Sequence, residues 1–175
     1  MIEVVLRAVR VDVGSSTPLL LLEEVGGERV LCIFIGAPEA AAIAYALQGV
    51  EAPRPMSHDL LGHVISALGA QVFSVEIVDL VDNTFFANLR LVRSGDEIVV
   101  SSRPSDAVAL ALRVGAPILV SDDLMEAEGK VMLLTSNDED EDEDGFVELD
   151  ASDEADLVAQ LREFLDQVRP EDFGA

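Results

Sequence analysis

Apolar and polar positions near the start of the chain follow the period of a strand. Val9, Val11 and Val13 alternate with Arg10 and Asp12. "TPLLLLEE" (17–24) and "RVLCIFI" (29–35) flank Gly26-Gly27, a hairpin signal. The period then changes. Ala40, Ile43, Ala44 and Leu47 recur at i, i+3, i+4 and i+7, the apolar stripe of a helix packed on a sheet, and Gly49 follows as its stop. The second half repeats this order. "VFSVEIVDLV" (72–81), "TFFANLRLV" (84–92) and "EIVVSS" (97–102) read as strands separated by Asp82-Asn83 and Ser94-Gly95-Asp96. Ala107, Leu110, Ala111 and Val114 then repeat the helical stripe before Gly115, and "KVMLLTS" (130–136) adds a late strand.

The matched order predicts an internal duplication, with repeats over about residues 1–66 and 70–128. Each copy reads as three strands, a proline-led helix, a glycine, a short extended piece and a short second helix opened by Ser-(His/Asp)-Asp-Leu. The fold class expected is α+β, with mostly antiparallel sheet. One domain spans 1–135. Residues 136–150 read as an acidic linker, because the seven consecutive acids in "NDEDEDEDG" (137–145) cannot pack. Residues 151–175 read as a C-terminal amphipathic helix and tail. Its apolar face is Leu157, Leu161, Phe164, Leu165 and Val168, with Ser152 as N-cap and Pro170 past the end. A helix of this length needs a surface to dock on, either its own domain or a second subunit.

Charge divides unevenly. The net charge is −23; residues 1–135 carry −9 of it and residues 136–175 carry −14. An acidic chain repels phosphate backbones at long range, which argues against a large nucleic-acid footprint but leaves room for a local basic groove. Cys32 has no second cysteine to pair with, and no apolar run approaches the roughly 18 residues of a membrane span. These features point to a cytoplasmic protein with no membrane partner.

Both histidines fall in one stretch, "RPMSHDLLGH" (54–63), and a second Arg-Pro begins "RPSDAVALALR" (103–113). Hydrolytic chemistry needs an activated water and stabilisation of the charge that develops. Carboxylates holding Mg²⁺ or Mn²⁺, a histidine base and an arginine clamp would supply both. The residues on offer are His58, Asp59 and Asp106 for catalysis, and Arg54, Arg103 and Ser105 for substrate binding. If the repeats pack about a pseudo-twofold axis, the two motifs face a common cleft. The plainer reading stands beside it. Ser57 can cap a helix, Asp59 and Asp106 suit first turns, and Asp59 can pair with His63 at i, i+4. His58 and His63 are too far apart around a helix to share a metal. Each arginine precedes a proline, is held extended, and can pair with Asp59 or Asp106 instead of phosphate. No zinc spacing, glycine-rich phosphate loop or calcium loop is present. A base-stacking platform has little support: there is no tryptophan, and of Phe85 and Phe86 only one faces out of its strand.

"RPMSHDLL" (54–61) and "RPSDAVALALR" (103–113), about 50 residues apart, resemble the paired signatures of the bifunctional nuclease (BFN) domain family. The resemblance covers roughly residues 1–135, and "LREFLDQVRPEDF" (161–173) is similar to the tails of bacterial members. Ser57 stands where the family commonly has threonine. Some members carry a UVR-type helical motif at the C-terminus, which this sequence lacks. The resemblance implies a nuclease of low sequence specificity acting on RNA, DNA or both. The acidic composition and the absence of a strong metal cluster keep an alternative open, a non-catalytic regulatory or protein-interaction module. A homodimer is compatible with either.

Overall fold

The computed structural model describes residues 1–12, 15–50 and 52–131, together with the backbone of residues 146–148. The first half runs β1 (Ile2–Asp12), β2 (Thr17–Glu24), β3 (Arg29–Phe34), α1 (Ala37–Leu47) and α2 (Ser57–Ala67). The second runs β4 (Ala70–Val81), β5 (Thr84–Arg93), β6 (Asp96–Ser102), α3 (Pro104–Val114), β7 (Ile118–Val120) and α4 (Asp122–Glu128). Two short strands follow, β8 (Lys130–Val131) and β9 (Phe146–Glu148). The strands form one sheet in the order β6-β5-β4-β7-β1-β2-β3-β8, with β9 paired to β1. Every pairing is antiparallel except β4 with β7. The α+β class, mostly antiparallel, is therefore observed. Each half contributes a three-strand meander, and β7 is inserted between β1 and β4 to join the two into one sheet.

The hairpins follow from turn chemistry. Val81 and Thr84 close β4 onto β5 across Asp82 and Asn83, whose φ values are +48° and +59°. A two-residue hairpin with both central residues left-handed matches the twist of the strands, and Asp and Asn tolerate that region. Ser94 and Gly95 do the same between β5 and β6. In β2 the four leucines Leu19–Leu22 are all fully buried, so a continuous run replaces alternation. Leu20 and Leu22 join the main core. Leu19 and Leu21 pack with Ala8 and Val30 in a smaller cluster.

The main core lies between the sheet and the helices. Val75, Ile77, Ala87 and Leu89 from the strands meet Ile43, Ala107, Leu110 and Met125 from the helices. α3 packs against both α1 and α2 and lies on β4 and β5. Small residues make this close approach possible: Ala107, Ala109 and Ala111 of α3 and Ala40 of α1 are buried. Two expected stripe residues, Leu47 and Val114, are instead exposed. Both sit in the last turn of their helix. Ala42, off the expected stripe, is buried, and its carbonyl accepts a hydrogen bond from Arg113 of α3.

The expected C-terminal helix and tail (151–175) and most of the expected linker (136–150) lie outside the described residues. Within that linker span, Phe146–Glu148 pair with Arg10–Asp12 of β1. Of the late strand expected at 130–136, the described part is Lys130–Val131 on β3. Among the described residues no helix is long and apolar enough to cross a membrane.

Candidate functional site

Three helices begin alike. α1, α2 and α3 each carry an acid at the third helical position, Glu39, Asp59 and Asp106. A carboxylate there lies among backbone N–H groups that have no partner within the helix, and it favours the positive end of the helix dipole. α1 and α3 also have a proline in the first turn, where a missing N–H does no harm. The fold joins the starts of α1 and α3 through Arg103 and sets His58 of α2 against Asp106, while Arg113, near the end of α3, holds Asp59.

Arg103, the residue before Pro104, is the centre. Its Nε donates to Asp106 Oδ2 at 2.7 Å, its Nη2 to Asp106 Oδ1 at 3.1 Å, and its Nη1 lies 2.9 Å from Glu39 Oε1 of α1. His58 of α2 completes the group. Its Nε2 is 3.2 Å from Asp106 Oδ1, across 48 residues of sequence. With the proton on Nε2, His58 donates to Asp106 and keeps a lone pair on Nδ1. His58 is 15 % exposed and Arg103 is 65 % exposed, so the imidazole is sheltered while the guanidinium reaches solvent. The hydrogen bond from Arg103, followed by that from His58, holds the Asp106 carboxyl below the ordinary aspartate range.

Asp59 has a different partner from those expected. Its Oδ2 accepts the backbone N–H of Met56 at 2.8 Å, closing the start of α2. Its Oδ1 accepts from Arg113 Nε at the far end of α3. The Met56 N–H, and then Arg113, lower its pKa. Arg113 also donates to the carbonyls of Ala109 at 2.8 Å and Ala42 at 2.9 Å, so one guanidinium ties α1, α2 and α3 together. It is 11 % exposed.

The sequence-based site is thus partly assembled and partly dispersed. His58, Asp106 and Arg103 come together. Asp59 belongs to the Arg113 clasp rather than pairing with Arg54 or His63. Arg54 and His63 are exposed. Ser57 does not cap α2; Met56 is the N-cap and Ser57 is the first helical residue, and the Asp59 carboxylate turns back to accept the Met56 N–H. Ser105 is buried at the second position of α3 and lines a cleft of about 380 Å³. Glu39, Arg103, Phe34, Phe85 and Asn83 line the same cleft.

Sequence reasoning passed over Arg113 and Glu39. Arg113 closes the quoted "RPSDAVALALR", but a cation in the last turn of a helix is ordinary by itself. Glu39 likewise looks like a first-turn acid. Neither signal states that α1 and α2 lie against α3.

The carboxylates do not form a cation site. Asp106 and Glu39 share Arg103, and Asp59 is held by Arg113. Among the described residues no group of three His, Cys, Asp or Glu side chains is placed to hold a metal ion. Glu39, Asp106 and Arg103 sum to one negative charge, and three helix N-termini supply about half a positive charge each. The site is therefore near neutral in a chain of net charge −23.

Comparison with known proteins gives three kinds of relative. A family model described as the bifunctional nuclease domain matches residues 20–132. An uncharacterised protein of Mycobacterium tuberculosis is 46% identical over 173 residues, covering 99% of this chain and 98% of that protein. Bifunctional nuclease 1 of Oryza sativa subsp. indica is 27% identical over 113 residues, which cover 63% of this chain and 34% of that protein. Bifunctional nuclease 2 of Oryza sativa subsp. japonica is 29% identical over 124 residues, covering 67% and 38%.

Proposed function

The chain belongs to the bifunctional nuclease domain family, and from that premise we propose that it hydrolyses phosphodiester bonds in RNA, DNA or both, with His58 as general base. The observation that carries the reading is the 3.2 Å approach of His58 Nε2 to Asp106 Oδ1, which unites the two Arg-Pro motifs beside an exposed arginine. Asp106 fixes the tautomer and stabilises the imidazolium formed when Nδ1 takes a proton. The nucleophile losing that proton is water or, in RNA, the neighbouring 2′-hydroxyl. Arg103 binds a non-bridging phosphoryl oxygen and offsets the charge that develops there. The imidazolium then returns its proton to the leaving oxygen. Ser105, at the wall of the cleft, and the exposed Arg54 extend substrate binding.

Glu39 and Asp106 are paired with Arg103, and Asp59 with Arg113. Mg²⁺ or Mn²⁺ would act by pairing with the substrate phosphates. The 2′-hydroxyl is the easier nucleophile for a histidine, since it is held within the substrate. RNA is therefore the faster substrate. The reading places the protein in the cytoplasm, supported by the lone Cys32.

It also makes the protein a homodimer through α2. Leu60, Leu61, Val64 and Leu68 are exposed along one side of this helix, and Leu61, Val64 and Leu68 have the three-four spacing of a helix-pairing seam. No charged residue interrupts them. Two copies of an acidic chain meet with least repulsion on such a face. The same face is what favours the second reading, an interaction module that binds a partner protein and cleaves nothing.

Cleavage of single-stranded RNA and DNA by purified protein, with EDTA, Mg²⁺ or Mn²⁺, separates the readings. Wild-type cleavage that falls about 10²–10⁴-fold in His58→Ala supports the nuclease. Equal rates in both, or none in either, favour the interaction module.

A further inference from the structure

The cleft of about 380 Å³ beside Arg103 has a chemistry that the catalytic group does not use. Phe34, at the end of β3, lines one part of it and is 58 % exposed. Phe85, from the start of β5, lines another part and packs against the main core. The lining also holds polar groups that can both donate and accept, the Asn83 amide and the hydroxyls of Thr84 and Ser105, together with the Glu39 carboxylate that Arg103 neutralises. Arg103 also lines the cleft, and it is bonded to Asp106, which is bonded to His58.

A largely exposed phenylalanine that lines a cleft gains nothing for the fold by remaining in water. A flat aromatic ligand would cover it. The volume is within the range of about 300–1,000 Å³ that small-molecule sites occupy. Aromatic faces bind any base by stacking, because every base has a π-face, and polar groups at the rim meet the base edges. An arginine at the same cleft suits the phosphate joined to that base.

We infer that this cleft is a nucleobase subsite, in which Phe34 stacks on the base whose phosphate Arg103 holds for His58. The inference rests on the nuclease reading for its substrate class. It also makes a claim of its own, that the ligand is recognised through a base and not through phosphate alone. Stacking on a single phenylalanine gives affinity without choosing among bases, which fits low sequence specificity.

The test uses the absence of tryptophan from the chain. Phe34→Trp places a single fluorescent reporter at an exposed position. Titration of this full-length variant with a single-stranded RNA trinucleotide should quench or shift its emission in a saturable way. The same oligomer lacking bases, and inorganic phosphate, should leave it unchanged. Phe34→Ala should bind the trinucleotide about 5- to 150-fold more weakly than wild type and raise KM more than it lowers kcat. Quenching without any cleavage by the wild type keeps the base subsite and removes the nuclease. Cleavage by the wild type with no quenching, or with KM unchanged in Phe34→Ala, overturns the subsite and leaves the nuclease. An equal response to the base-free oligomer also overturns it.

Discussion

α2 and α3 start from the same motif and end in opposite situations. An Arg-Pro lies just before α2 and straddles the start of α3, and each helix carries an aspartate at its third position. α3 buries Pro104, Ser105 and Ala107 through Ala111 between two helices and the sheet, while α2 buries only Ile65. α3 is scaffold: it positions Arg103 and Asp106 at one end and Arg113 at the other. α2 is an attached element that delivers His58 to that scaffold and turns an apolar side outward. A rigid helix holding the arginine and carboxylate, with a less anchored helix carrying the base, is a division of labour the matched sequences do not announce.

Substitutions can break this contrast. Leu110→Ala, in the middle of α3, removes a fully buried side chain and should destabilise the protein by about 2–5 kcal/mol in denaturant unfolding. A similar change at Leu60 of α2 should fall within about 0.5 kcal/mol, because that side chain is mostly exposed. Equal effects would end the distinction. Arg113→Met comes next. It leaves the Asp59 carboxylate and the Ala42 carbonyl without their guanidinium, at about 1–3 kcal/mol by the same measurement. It should loosen α2 first, seen as faster amide exchange in residues 57–67 than in α3.

Acid gives a smaller effect with a defined sign. Asp59 and Asp106 both have folded-state pKa values below the ordinary 3.8. The stability they contribute is therefore fully present above about pH 4 and is lost as pH falls below that value. Asp59→Asn and Asp106→Asn should each flatten that decline in an acid-unfolding series. Smallest of all in stability is Leu61→Glu. It should leave the melting temperature nearly unchanged and convert the proposed dimer to monomer in sedimentation equilibrium.

Much of the fold was legible because strands and stripes are local. "TPLLLLEE" gives β2 to the residue, and Asp82-Asn83 gives a hairpin because both residue types tolerate the left-handed pair of a type I′ turn. Ala107, Leu110 and Ala111 were recognisable as a buried face by spacing alone. What spacing could not supply was which helix lies beside which. Spacing offers Asp59 its sequence neighbours Arg54 and His63, whereas the side chain it bonds is Arg113, 54 residues away, with His63 adding only a weaker attraction. Ser57 fits the usual pattern of a cap, a hydroxyl before an apolar run, but the helix begins one residue earlier in the chain than that pattern implies, with Met56 as its N-cap. His58, Asp106 and Arg103 could be named from residue chemistry. That they touch follows only from the packing of α2 on α3. Phe34 and Phe85 belong to different strands, and nothing in either strand announces that they share a cleft.

The most direct test of the account is a double-mutant cycle on cleavage of single-stranded RNA, using His58→Ala, Asp106→Asn and the pair. If the two halves build one catalytic unit, each single variant loses about 10²–10⁴-fold in kcat. The double variant should then lose little more than the worse single one, because each removes the same proton-transfer device. Losses that multiply, or a His58→Ala variant as active as wild type, would contradict it.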